Sequence, residues 1–109
     1  MKVYEPTPRT GIETIKRYGQ LADRGGSAEI AAQQWTDAGF DDAMTARWLQ
    51  ARCFDAQAAR GLSELGVTPE QSAARTRDGR GGYIDTIAFK VANGDLTVRQ
   101  GAARTLSSR

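Results

Sequence analysis

The sequence predicts an all-α fold, a compact single domain over residues 1–109 built from six to seven short helices. Three observations lead there. The 109-residue chain is 39% apolar, but 17 of its apolar residues are Ala, the best helix former, and β-branched apolar residues are few. Apolar side chains recur at helical spacing, as at Ile12, Ile15, Gly19 and Ala22 and again at Ile84, Ile87, Ala88 and Val91. Cap residues punctuate these runs at short intervals. With eight aromatics in all, the core must come from close helix approach around Trp35, Phe40, Trp48, Phe54 and Leu62. About 25 cal/mol per Å² of apolar burial, set against about 1.5 kcal/mol of ordering entropy per residue, leaves such a chain little margin. A bound partner, or a second copy in a homodimer, would add stability.

Thr10 with Glu13 three residues on has the capping-box pattern, so a first helix is expected over 10–24, stopping at Arg24-Gly25-Gly26. Ser27 caps a second, in which Ile30, Ala31, Gln34, Trp35 and Ala38 share a face and Gly39 supplies a left-handed end. Asp41 or Asp42 starts a third, carrying Met44, Trp48 and Leu49, and Asp55 caps a fourth that runs through Ala58, Ala59, Leu62 and Leu65 to Gly66. Thr68-Pro69-Glu70-Gln71 joins an N-cap Thr, a Pro at the first helical position and a Gln three residues on. This fifth helix is expected to end near Arg77. Asp78 to Gly82 (78–82) reads as a flexible Gly-rich loop, and a C-terminal helical pair follows over 83–107. Its first member stops at Asn93-Gly94 and its second starts on Thr97-Val98-Arg99-Gln100.

Residues 27–74 form an acidic core with internal regularity. The segments starting at Trp35, Trp48 and Leu62 each run from a bulky anchor through a turn and a hydrophobe to a helix cap. The anchors stand 13 and 14 residues apart, one short helix plus a turn, which predicts a central run of helical repeats. The W-x-x-A-G-F unit at Trp35 to Phe40, the second W-x-x-A copy at Trp48 to Ala51 and the closing L-G-V-T-P-E-x-S-A through Ala73 resemble small helical proteins of bacteria and mobile elements that carry tandem W-x-x-A-G-F units. The resemblance implies a tandem helical architecture and assigns no catalytic residue. Small helical proteins of phages and mobile elements include inhibitors of host defence, anti-CRISPR proteins among them, and size and type imply that class. The second copy departs from the pattern, with Arg52-Cys53-Phe54 where Gly-Phe is expected.

The net charge of +2 hides a division. Residues 27–74 hold three bases and seven acids, whereas residues 75–109 hold seven bases and three acids. An acidic middle is therefore followed by a basic third. The chemistry on offer is narrow. There is no His and one Cys, so the commonest general base is missing, no zinc cluster or disulfide can form within the chain, and no metal or cofactor is expected. Cys53 is expected as a small buried hydrophobe. The Gly-rich stretch lacks the spacing of a P-loop or a dinucleotide fingerprint. Asp41, Asp42 and Asp55 are read as caps rather than as paired acid/base carboxylates. Residues 56–77 follow the order of a helix-turn-helix, but Gly61 weakens its first helix and Glu70 and Gln71 open the second.

These exclusions point to a non-enzymatic macromolecule-binding protein. The reading that follows is a phage or mobile-element inhibitor of the anti-CRISPR type, occluding a nucleic-acid-handling complex. Asp37, Asp41, Asp42, Asp55, Glu64 and Glu70 would then imitate phosphate charge, or Arg75, Arg77 and Arg80 would dock on protein together with Phe89 and Lys90. Phe89 falls about 140° from Ile84 around a helix and is expected to face outward beside Lys90. The alternative is a DNA- or RNA-binding regulator using the basic C-terminal third. No membrane span and no secretory signal are seen, so a cytoplasmic location is expected.

Overall fold

Ser27, Asp41, Asp55, Thr68 and Thr86 each accept hydrogen bonds from backbone N–H groups one turn ahead, and so fix where five of the helices begin. The computed structural model describes residues 8–106. In chain order they form α1 (Ile12–Arg17), α2 (Gly19–Asp23), α3 (Ala28–Asp37), α4 (Asp42–Gln50), α5 (Ala56–Glu64), α6 (Pro69–Ser72), strands β1 (Arg75–Thr76) and β2 (Asp85–Thr86), α7 (Ile87–Ala92) and α8 (Val98–Leu106). Thr97 and Gln100 exchange the two bonds of a capping box ahead of α8, at 2.8 and 3.0 Å. The fold is compact and mostly helical, but it is not purely α. The two strands pair antiparallel, Arg75 opposite Thr86 and Thr76 opposite Asp85.

Three expected boundaries move, two of them because a distant partner outweighs a local signal. Thr10 caps nothing. It is buried, and its hydroxyl donates to the Phe40 carbonyl at 2.9 Å and lies 2.6 Å from Thr45 Oγ1. No side chain caps α1 at its Gly11 N-cap; the carboxylate of Asp42 instead ties its start to α4, accepting from the Gly11 amide and the Thr14 hydroxyl, both at 2.7 Å. The expected first helix is two, divided at Tyr18-Gly19, where Gly19 turns to φ +73°. The fifth helix stops at Ser72 rather than near Arg77, because the Ala74 carbonyl accepts from Ile87 N across the strand pair. Four helical residues cannot reach along a major groove, so the helix-turn-helix order at 56–77 does not become that motif.

Trp35, Phe40 and Trp48 form the aromatic centre, with successive ring centroids 5.4 and 6.5 Å apart. α8 closes against α5 and α7 through small residues. A Cβ on Gly101 would stand 2.5 Å from a Val91 methyl and 3.3 Å from an Ile87 methyl, and one on Gly61 would stand 3.1 Å from both Val98 methyls. Gly61, which looks like a defect of α5 in the sequence, is where Val98 of α8 packs against α5.

Candidate functional site

Each of the six acids proposed for contact has a partner within its own chain. Asp41 and Asp55 cap α4 and α5 through the Met44 and Ala58 amides, both at 2.9 Å. Asp42 titrates below the usual carboxylate value because the Thr14 hydroxyl and the Gly11 amide bond its charged form, with Arg17 and Arg9 adding to this against partial burial. Glu70 receives both the Nε and Nη2 of Arg47, the former at 2.9 Å, and this pairing lowers its pKa. Asp37 accepts from Gln33 at 2.7 Å, and Glu64 lies 3.5 Å from Arg60 one turn back. The acidic middle is thus largely answered from within.

The basic third is not. Arg75, Arg77, Arg80 and Arg99 are exposed and, among the described residues, stand in no ion pair. Arg75 begins the strand pair, and Arg77 and Arg80 ride on the excursion between β1 and β2. That segment is tied down at several points, contrary to the flexible connector its composition predicts. The Asp78 carboxylate accepts from Arg104 Nε at 3.0 Å, and the Asp78 carbonyl accepts from Lys90 Nζ. Arg80 N donates to the Asp95 carbonyl at 3.2 Å. The Tyr83 hydroxyl donates to the Asp95 carboxylate, and this bond, burial and the neighbouring charge raise the tyrosine's pKa. Gly79, at φ +100°, passes so close that a Cβ would sit 3.0 Å from the Asp95 carbonyl oxygen.

Lys90 and Phe89 require correction. Helical spacing predicts a helix from Ile84, but Ile84 lies before β2 and is exposed, while α7 starts at Ile87 on the Thr86 cap. The whole face turns accordingly. Lys90 is fully buried, its Nζ 4.3 Å from the Tyr83 ring centroid, and is no contact residue. Phe89 is half-buried, with Phe54 and Tyr83 meeting it edge-on at 6.3 and 6.4 Å.

The group beside Phe89 is not among the contact residues expected from the sequence. Arg52 stands at φ +67°, in the position where α4 turns back and where a Gly is expected. Its Nε and Nη2 bond the two Asp85 oxygens at 2.9 and 3.0 Å, and its guanidinium carbon lies 4.7 Å from the Phe89 ring centroid. Burial pushes the Asp85 carboxyl up, but the Arg52 bonds, the Thr86 amide and the charges of Arg52 and Arg75 outweigh it, so its pKa is lowered. Thr86 adds a bond from its hydroxyl to the Ala51 carbonyl at 2.7 Å. The clasp joins the α4 turn to the start of α7. An open cavity of about 450 Å³, lined by Gln20, Leu21, Arg24, Phe54, Phe89 and Asn93, adjoins it. Cys53, next in sequence, is buried, and burial pushes its thiol up to about 12.

Among the described residues no group of three or more Asp, Glu or Cys side chains stands where it could hold a metal ion, and no helix is long and apolar enough to cross a membrane. Compared with known proteins, the chain matches no family model, no curated protein and no solved structure.

Proposed function

We propose that this chain is a non-enzymatic binding protein that acts by covering an anionic macromolecular surface, and that its contact face is the cationic segment carrying Arg75, Arg77 and Arg80. The single observation that carries this reading is the asymmetry of pairing: the acids of the middle segment have internal partners, whereas these arginines are exposed and stand in no ion pair. An unpaired guanidinium offers its planar fork to a phosphate. Against an acid/base enzyme stand the duties already held by Asp41, Asp42 and Asp55, and the closed Cys53 thiol. The charge-mimicry version of the reading, in which Asp37, Asp41, Asp42, Asp55, Glu64 and Glu70 imitate phosphates, is the weaker for the same reason. Three turns support the helical-repeat reading of the middle. Phe40 N, Cys53 N and Val67 N donate to the carbonyls of Trp35, Trp48 and Leu62 at 3.1, 3.0 and 3.0 Å, so each anchor closes its turn in the same way.

In the inhibitor reading, that of a mobile-element protein of the anti-CRISPR type, this face docks on a nucleoprotein complex in the cytoplasm. In the regulator reading it meets DNA or RNA directly. A salt titration against duplex and single-stranded DNA separates them. Direct binding should weaken linearly in log affinity against log salt, and Arg75→Ala, Arg77→Ala and Arg80→Ala together should reduce the slope by about 0.9 for each duplex phosphate that these arginines neutralise. No binding at low salt, with an arginine-dependent capture of a nucleoprotein complex from the native host, selects the inhibitor. If neither binding nor capture depends on these arginines, the contact face is misassigned.

A further inference from the structure

We infer that Lys90 is a positioning residue for the cationic segment: a lysine buried in α7 that holds the start of the excursion by the Asp78 carbonyl and its end by the Tyr83 ring, so that Arg80 is carried on a span fixed at both ends. This rests on the reading of that segment as the contact face.

A buried amine costs free energy unless its donors are met. No carboxylate lies within ion-pair distance of Lys90 among the described residues, so the residue is not here to complete a salt bridge. What its Nζ meets is backbone and an aromatic face, and both belong to the same excursion, five residues apart. Asp95 repeats the arrangement from the other side. Its carbonyl takes the Arg80 amide and its carboxylate takes the Tyr83 hydroxyl, while Asp95 N is bonded to the Lys90 carbonyl at 2.8 Å. One turn of α7 and the residues that follow it thus hold the beginning, middle and end of a Gly-rich span that would otherwise be ordered only on binding. Lys90 needs no exposure for this, and its charge never meets the ligand.

Lys90→Met keeps an unbranched apolar stem one atom shorter and removes the donor. The expected result is faster hydrogen exchange of the amides of 79–83 with the helical amides unchanged. Affinity for a short labelled DNA strand should fall about tenfold, with the slope of log affinity against log salt unaltered. Arg80→Ala, in contrast, should lower that slope by about 0.7 for a single strand. Tyr83→Leu removes the other contact of Nζ from an exposed site and should reproduce the exchange change if Lys90→Met fails to fold. Unchanged exchange in the folded variants overturns the positioning role, and a reduced salt slope in Lys90→Met overturns it by making Lys90 itself a phosphate contact. If the unaltered protein binds no DNA, the direct nucleic-acid reading fails, and the positioning role is judged on exchange alone.

Discussion

Arg52 adopts a backbone conformation that costs a residue with a Cβ about 1 kcal/mol relative to Gly. The guanidinium's two bonds to Asp85 and its stack on Phe89 offset that cost. Arg52→Gly relaxes the turn but leaves the Asp85 carboxylate, 13% exposed, without its partner. Breaking a fully buried pair costs about 3–5 kcal/mol; Arg52 is 37% exposed, so solvent screens the pair and a net loss of about 1–2 kcal/mol is expected in urea unfolding. The pH dependence has a definite sign. Asp85 and Asp42 titrate lower in the folded state than their ordinary value of 3.8, so the stability they confer is present above about pH 3.8 and is lost as pH falls through their folded values. Arg52→Gly should flatten this acid limb, and an acid limb as steep as that of the unaltered protein would show that Arg52 does not hold Asp85 ionised. The departure at Arg52-Cys53-Phe54 is visible in the sequence. Its meaning is not, because Asp85 lies 33 residues away and no local rule pairs the two.

At the scale of elements, what is legible follows from how far a signal must reach. The caps Ser27, Asp41, Asp55, Thr68 and Thr97 act within three residues of themselves, and each starts its helix as its sequence predicts. Thr10 has the same local pattern and fails, since Thr45 and Phe40 claim its hydroxyl from 35 and 30 residues away. The strand pair is missed for a like reason: two residues have no periodicity, and their order comes from pairing with β2. Helix packing gives the contrast to test. Thr68→Ala removes one cap of α6 and should cost about 1 kcal/mol. Gly101→Ala gains about 1 kcal/mol of helix propensity, yet its methyl would meet Val91 at 2.5 Å, on a short branched side chain that cannot swing away. Overpacking of this kind costs about 1–3 kcal/mol, so Gly101→Ala should lower the thermal midpoint despite the better helix former. A raised midpoint would mean that α8 does not approach α5 and α7 as closely as described.

For the whole molecule, the charge division is legible by counting, and the Arg60–Glu64 pair follows from helical spacing within α5, but which half is free to meet a partner is not, because Arg47 reaches Glu70, 23 residues on, only once the helices are placed. Cys53 provides a probe of how far the molecule holds together as one unit. It lies in the turn between α4 and α5, is 0% exposed, and has a thiol pushed up to about 12 by burial. Its folded value lies above the ordinary 9.0, so its contribution to stability is complete below about pH 9 and is lost as pH rises toward 12. At neutral pH a thiol reagent reaches Cys53 only through opening of the core. If the domain opens as a unit, the labelling rate extrapolated to zero urea should give the same free energy as equilibrium unfolding. Gly101→Ala, remote in sequence, should then speed labelling by the factor its loss of stability dictates. A ligand held by the arginines of the basic third should slow labelling by one plus the ratio of its free concentration to Kd, although Cys53 touches no ligand. Labelling that is fast and indifferent to urea would show instead that the α4–α5 turn opens alone, and Arg52→Gly would then be the variant to change its rate while Gly101→Ala leaves it unmoved.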